Sequence, residues 1–300
     1  MPKNWLRNLK QAPLWGKPIL RKVSVPISQL TTFQSQGVVQ EVQVFQTLDA
    51  LKAFIKSKVP YYILGKGSNT LISPDTSIHK FIQISLEMFP VSVEGNRLRV
   101  CAGTTVHKLM GILQEKGLTG LEFSAGVPAS IGGMVAMNFG CWGQDISQIL
   151  VKARILTETG DDKWVSNLEL GFGYRTSILQ KNKWICLEAE FACQAEDPAI
   201  IKQTILQNIQ TRIEKQPLKG KTFGSVFKNP PGFHAAALLE ELGFKGKTIN
   251  HVQFSEKHAN FLINMGDAKF QDALAMIQLA QDTVSAQKGI LLEPEVKIVL

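Results

Sequence analysis

The chain lacks any apolar run approaching the roughly 18 residues that would suggest a membrane-spanning helix; its longest hydrophobic stretches are broken by Gly, Asn or charge, and no insertion into a bilayer is expected. Cysteine is scarce. Cys101, Cys141, Cys186 and Cys193 form no CxxC pair and have no histidine at metal-ligand spacing, so they read as reduced, mostly buried thiols rather than a disulfide framework. The five histidines, His79, His107, His234, His251 and His258, are dispersed without an HExxH or zinc-finger spacing, which argues against a zinc enzyme, and no metal is expected. Acid is absent from the first 22 residues, where six basic residues stand. There Trp5, Leu6, Leu9 and Leu14 are too scattered for a signal-peptide core. An acid-poor basic start is also the composition of a transit peptide; with no signal, the cytoplasm is the expected compartment. Internal repeats and low-complexity linkers are absent too, so the domains are expected to pack closely.

What is present fits a large globular protein. With 300 residues, 44% of them hydrophobic, the chain can bury a large core, and its length permits two or three domains. The formal net charge of +8 favours an anionic partner, either nucleic acid or a small phosphate-bearing ligand, and charge alone does not choose. Nucleic acid is disfavoured because the aromatic residues are not interleaved with basic clusters as stacking platforms would be.

Strand and helix signals alternate along the chain. EVQVF, Glu41 to Phe45, has the period of a strand, and Thr47 can cap a helix with Leu48, Leu51, Phe54 and Ile55 on one face. KVPYYILGKGSN reads as a buried strand running into a glycine loop, which makes residues 1–86 a small α/β unit. RLRVCAG reads as a strand; Val106, Leu109, Met110 and Leu113 then fall at helical spacing, with Gly117 as terminator. ARILTETG and WICLEAEFAC are strand-like, so residues 87–197 read as mostly β. Asp197-Pro198 is a cap followed by a first-turn proline, and Ile201, Ile205, Ile209 and Ile213 recur every four residues. With HAAALLEELGF and a helix from about Asp267 to Lys288, this makes 198–289 a third, α/β unit. LLEPEVKIVL, residues 291–300, reverts to strand and is expected to return to an earlier domain.

Two glycine loops carry the chemistry. GKGSN, Gly65 to Asn69, follows the strand YYIL and can bring backbone N–H groups to an anion. A dinucleotide fingerprint would need a third glycine near Thr70 and a P-loop would need Gly-Lys-Ser/Thr, and neither is present; a tight turn closing a βα unit explains the motif equally well. From Ser124 to Gly140 there is no charged side chain, and nine of seventeen residues are Gly, Ala or Ser. Gly126, Pro128, Gly132, Gly133 and Asn138 lack the regular spacing of a helix interface and imply a shaped loop. Two such loops suggest one extended phosphate-bearing cofactor.

GKGSN, SAGVPASIGGMVAMNFG, FGYRTS, GSVFKNP, HANFLIN and LEPEV occur in the order and approximate spacing of the UDP-N-acetylenolpyruvoylglucosamine reductases, and the chain from Leu30 to Leu300 resembles that family in its shorter type. The resemblance implies an α+β, three-domain fold of the vanillyl-alcohol-oxidase type, with FAD between the first two domains and the sugar nucleotide on the third. It implies FAD contacts from Gly65, Lys66, Gly67, Ser68, Asn69 and Thr70, and from Ser124, Ala125, Gly126, Pro128, Ser130, Gly132, Gly133, Asn138 and Gly140. The implied reaction has two halves: NADPH reduces FAD, and the enolpyruvyl sugar then takes a hydride from flavin N5 onto its vinyl carbon. A monomer is expected.

Charge then builds on the carbon bearing the carboxylate and a proton must be supplied. The resemblance implies Ser225 as proton donor, with Arg175 and Glu295 assisting at the enolate. Glu293 and Glu295 flank Pro294 at strand spacing, and spacing does not separate them. Tyr174, Lys228 and Asn229 are expected at the substrate, although a solvated Lys228 fits equally well; Arg212, Lys215 and His258 are further candidates, where a solvated helix face explains the first two, and an ordinary surface or packed histidine the third, equally well. The chain departs from the family pattern in TTFQSQG, where Gln34 and Gln36 replace an arginine and a glycine, at Asn250-His251, where paired glycines are common, and at Trp142, where tyrosine is frequent. The long insertion with an extra tyrosine found in one branch is missing.

Overall fold

The alternating segment Val38–Phe45 becomes the strand around which the first unit is built. In this computed structural model, which describes residues 18–300, it pairs antiparallel with Ile19–Pro26 and parallel with Lys80–Ile84, and Tyr62–Ile63 adds to the far side of Lys80–Ile84. The basic start considered above lies, through residue 17, outside the described residues. Helix α1, Leu48–Lys56, begins where the Thr47 hydroxyl accepts the Ala50 N–H at 3.4 Å, and it buries Leu51 and Ile55. The strand expected through KVPYYIL is shorter and more exposed than its apolar composition suggests. Only Tyr62–Ile63 pairs, at the edge of the sheet, where Ile63 is exposed; Pro60, just before it, offers no N–H to a ladder.

The second unit is a five-stranded antiparallel sheet in the order Asp162–Ser166, Leu150–Leu156, Ile185–Ala192, Arg97–Cys101, Ser92–Glu94. Its central strand, Ile185–Ala192, is buried at every position but the last. Helix α2, Val106–Lys116, is capped by the Thr105 hydroxyl and ends at Gly117 in the left-handed conformation. Two short helices follow, α3 Ile131–Ala136 and α4 Ile178–Lys181. Cys101, Cys186 and Cys193 are buried and all four cysteines are free; burial pushes the Cys193 thiol up to about 12 and raises those of Cys101 and Cys186 as well, so these three are inert packing residues.

Helix α5, Pro198–Lys215, starts as its sequence dictates, with the Asp197 carboxylate accepting the Ala199 N–H at 2.7 Å. Its affiliation corrects the boundary drawn at residue 198. Ile201 and Ile205 enter the core of the second unit, beside α2, so the third unit starts after this helix. The isoleucine stripe fades along it, with Ile201 buried and Ile213 exposed, because a repeat of four overshoots the 3.6-residue turn and drifts about 40° per step.

The third unit packs α6, Ala235–Glu241, and α7, Phe270–Lys288, on an antiparallel sheet ordered Lys221–Ser225, Phe261–Asn264, Val252–Phe254, Thr248–Ile249. Antiparallel pairing throughout makes it α+β rather than the α/β unit expected. Its core also takes Phe33 and Leu71 from the first unit; Phe33 packs on Phe223 with ring centroids 4.8 Å apart. Of the expected terminal strand only Lys297–Val299 forms, pairing parallel with Thr70–Ile72. Placing α5 in the second core gives a stability test. Ile201→Ala should lower the unfolding free energy by about 2–5 kcal/mol in urea titration, whereas the exposed neighbour Ile200→Ala should change it by less than about 0.5 kcal/mol.

Candidate active site

The loop Gly65–Asn69 leaves the first sheet with a row of free donors. Among the described residues, no backbone carbonyl or side chain accepts the N–H groups of Gly65, Lys66, Gly67, Ser68 or Asn69. Gly67 has φ +64, and a Cβ there would stand 2.1 Å from the Leu30 carbonyl oxygen, so the close approach requires glycine. Across the cleft, the N–H groups of Gly126 and Ser130 are likewise unpaired. Between these loops and the third unit lies a cavity of about 1490 Å³. Eight basic residues line it, Lys58, Lys66, Lys183, Lys219, Lys221, Lys297, Arg175 and Arg212, against the acids Glu158 and Glu295. Free amides, a basic lining and methyl-bearing walls such as Val127, Met134 and Leu179 suit a long anionic ligand with an apolar ring.

Ser225, Arg175 and Glu295 line the same cavity, each brought by a different unit or segment. Ser225 lies beyond a break in the register between Thr222 and Ser225, where Gly224 takes φ +83. Arg175 sits at the tip of a hairpin in which Gly173 and Thr176 exchange both backbone hydrogen bonds. Its φ of +57 is uncommon for a residue with a Cβ. Its guanidinium lies 5.1 Å from the Tyr174 ring centre, and its Nε donates to Glu295 Oε1 at 3.0 Å.

The C-terminal segment delivers Glu295. Glu295 N–H donates to the Val226 carbonyl at 2.8 Å, and Lys228 N–H donates to the Glu293 carbonyl at 2.9 Å. On the other side, Asn69 Nδ2 donates to the Glu295 carbonyl at 3.1 Å, and the Asn69 carbonyl accepts the Lys297 N–H at 3.0 Å. This geometry separates the two glutamates that spacing left equivalent. Glu293 is exposed and pairs with Lys228, whereas Glu295 is 9% exposed and faces the cavity. Burial raises the Glu295 carboxyl above its ordinary value, against the opposing pull of Arg175, Lys228 and Lys297.

Several expected ligand contacts have other partners. Arg212, 3% exposed, donates from Nε to the Ala125 carbonyl and from Nη2 to the Phe123 carbonyl, each at 3.0 Å, with Trp142 over its plane at 4.5 Å. Most of its donors therefore shape the glycine loop instead of waiting for a diphosphate. His258 packs edge-on against Phe261, which lines the cavity, but does not line it itself. Asn229 Oδ1 accepts the Ala235 N–H, and the Asn229 N–H donates to the Tyr174 hydroxyl at 3.3 Å. Lys228, Asn229, Tyr174 and Lys215 do not line the cavity, nor do Ser124, Ala125, Gly132 and Asn138. The Ser124 hydroxyl donates to the Leu121 carbonyl, Ala125 is core, Gly132 rests on Ala102, and Asn138 Nδ2 donates to the Gly173 carbonyl under the Arg175 hairpin. The other glycine-loop residues, Gly65 to Thr70, Gly126, Pro128, Ser130, Gly133 and Gly140, do line it. The cavity also includes Lys219, Lys221 and Lys297, which the sequence reading passed over; the first two stand just before GSVFKNP, the one available signal.

The raised Glu295 carboxyl has a pH consequence. Its proton is held more tightly folded than unfolded, so this group's contribution to stability is full below the ordinary carboxylate range and is lost as pH rises through the raised value. Glu295→Gln removes that dependence. Thermal unfolding should show the variant gaining on the parent protein between pH 4 and pH 7, by a shift in the difference of their midpoints.

Comparison with known proteins agrees with this arrangement. Residues 36–166 match the model of an FAD binding domain, and residues 216–299 match that of the UDP-N-acetylenolpyruvoylglucosamine reductase C-terminal domain. The UDP-N-acetylenolpyruvoylglucosamine reductase of Halalkalibacterium halodurans is 38% identical over 93% of this chain and 94% of its own, and that of Bacillus subtilis is 36% identical over 91% and 92%. The crystal structure of the corresponding reductase from Thermus caldophilus has a TM-score of 0.81 at 29% identity, covering 94% of this chain and 99% of its own. The expected α+β flavoprotein fold is therefore present, and the unpaired amides, basic lining and apolar wall fit FAD. The chain, an FAD-dependent oxidoreductase, belongs to the UDP-N-acetylenolpyruvoylglucosamine reductase family.

Proposed function

We propose that the protein reduces the enolpyruvyl group of UDP-N-acetylenolpyruvoylglucosamine to give UDP-N-acetylmuramate, with NADPH as the source of the hydride, acting as a monomer in the cytoplasm. The observation that carries this reading is the convergence of Ser225, Arg175 and Glu295 on one basic cavity that also holds the free amides of Gly65–Asn69. The free amides of Gly65–Asn69 and of Gly126 and Ser130 would hold FAD, which would supply the hydride-transfer chemistry between NADPH and the vinyl carbon of the substrate.

The protein's own residues handle charge and proton. Hydride addition to the terminal carbon converts the vinyl CH₂ to a methyl group and leaves an electron pair shared between the adjacent carbon and its carboxylate. Arg175 uses Nε on Glu295, which leaves both of its Nη groups to face that carboxylate as paired donors. Burial favours the protonated form of Glu295, so its carboxyl can give a hydrogen bond to the developing charge. The Ser225 hydroxyl supplies the proton to the carbon and is reprotonated from solvent. A serine is a weak acid, and only a neighbouring cation and a strongly basic carbon make the transfer feasible. Lys219, Lys221 and Lys297 at the cavity offer ammonium groups to the nucleotide diphosphate.

The two halves can be watched separately in the visible flavin band of the FAD-loaded protein under anaerobic conditions. NADPH should bleach it and the enolpyruvyl sugar nucleotide should restore it; a band that bleaches but is not restored would mean another substrate. Ser225→Ala should bleach normally and be restored about 100-fold more slowly or worse. Glu295→Gln should lower turnover by roughly 100-fold, with Glu293→Gln close to the parent rate; the opposite ranking would sink the assignment.

A further inference from the structure

Ser225 and Glu295 are far apart in sequence, and what fixes their separation is a residue outside the cavity lining. Asn260 is 4% exposed. Its carboxamide closes on a single residue: Oδ1 accepts the Phe227 N–H at 3.0 Å, and Nδ2 donates to the Phe227 carbonyl at 2.8 Å. Its own carbonyl accepts the Val226 N–H at 2.8 Å. The ladder between Lys221–Ser225 and Phe261–Asn264 ends at the Ser225–Phe261 pair. From there the Asn260 side chain continues the pairing that a strand backbone would otherwise give.

The opposite edge of the same dipeptide holds the acid. The Val226 carbonyl accepts Glu295 N–H at 2.8 Å and Val296 N–H at 3.4 Å. Val226 and Phe227 are almost wholly buried, so water cannot replace a lost partner there, and leaving the Phe227 amide and carbonyl unpaired costs more than the bonds themselves contribute. A carboxamide offers one donor and one acceptor at this spacing whatever the pH. An ionised carboxylate keeps the acceptor and opposes the Phe227 carbonyl; alanine supplies neither.

We propose that Asn260 is a positioning residue for the proton-transfer half of the reaction, holding Val226–Phe227 so that the Ser225 hydroxyl and the Glu295 carboxyl keep one separation across the substrate. The proposal rests on the assignment of Ser225 and Glu295 above. It touches neither the free amides of Gly65–Asn69 nor the cofactor side of the cleft, so it separates the two half-reactions. Displacements of about 1 Å at a reacting centre cost up to roughly 100-fold in rate.

The test uses FAD-loaded Asn260→Ala and Asn260→Asp beside the parent protein. In Asn260→Ala, flavin content and bleaching by NADPH should stay near the parent values, while restoration by the sugar nucleotide slows roughly 10- to 100-fold and its solvent deuterium isotope effect grows. Asn260→Asp should recover towards the parent rate as pH falls, because a protonated carboxyl again donates to the Phe227 carbonyl; a purely structural role gives no such recovery. Amide hydrogen exchange provides a readout independent of turnover: the amides of Val226 and Phe227 should exchange at least about tenfold faster in Asn260→Ala while those of Lys221–Phe223 do not change. Parallel slowing of both half-reactions, loss of FAD, or unchanged exchange at Phe227 would overturn the proposal. A parent protein that the sugar nucleotide fails to reoxidise would refute the substrate assignment instead, and the exchange data would still decide whether Asn260 holds the dipeptide.

Discussion

The site depends on one constraint, the passage of the C-terminal segment between two others. Its backbone is bonded to Val226 and Lys228 on one side and to Asn69 on the other, before Lys297–Val299 pairs with Thr70–Ile72. Asn69 and Glu295 are 226 positions apart, and closing so long a loop is entropically costly, although the cost grows only logarithmically with length. The return is that the loop with the free amides and the buried carboxyl are held side by side. Phe33 strengthens it from the other direction by entering the core of the third unit, where Thr32 and Gln36 also make hydrogen bonds. The first and third units are thus joined at two places.

Electrostatics divides the labour among the basic residues. Arg212 is a buried cation with no carboxylate partner among the described residues; two backbone carbonyls, the Gln216 side chain and the Trp142 ring face it instead. A guanidinium does not lose its proton in a protein, so it must be compensated in place, and the compensation fixes the turn at Phe123–Gly126. Because Arg212 belongs to α5, the shape of the cofactor loop depends on a helix just before the third unit. Arg175 is bound to a carboxylate that burial pushes towards neutrality. Its Nε is taken by that carboxyl, and its Nη groups make no hydrogen bond among the described residues.

The parts legible in the sequence were those whose cause is local. Thr47, Thr105 and Asp197 cap helices as their side chains dictate, and Gly117 and Gly289 end them in the left-handed conformation. The charge-free glycine stretch also announced a shaped loop, because composition alone relaxes the backbone there. What stayed hidden depends on neighbours distant in sequence. The isoleucine stripe of α5 says that one face is buried but not which core receives it. Arg212 and Lys215 are both plausible phosphate ligands as residue types, and only the carbonyls of Phe123 and Ala125 distinguish them. Glu293 and Glu295 differ through burial and partners, which a spacing of two does not encode. The roles proposed for Ser225, Arg175 and Glu295 come from resemblance to a family, since neither composition nor periodicity marks a lone serine.

The departures from the family pattern then have physical accounts. Asn250 takes φ +47 in the two-residue turn between Thr248–Ile249 and Val252–Phe254, and its side chain donates to Asp272 at 2.8 Å. Asparagine is among the residues that enter this region most readily, so the loss of glycine is tolerated and a bond to α7 is gained. Trp142, at φ +55, has no such tolerance; its ring lies over Arg212 at 4.5 Å, a cation–π contact that adds to the hold on that side chain. Gln34 lines the cavity at φ +57, with its carbonyl held by Asn264 Nδ2 at 2.9 Å. The backbone there is fixed by Phe33 and Asn264 and not by the side chain, so replacing an arginine with Gln34 removes a charge without moving the wall. Eight cations remain around the cavity; the neutral position weakens the field felt by an anionic cofactor but does not reverse its sign.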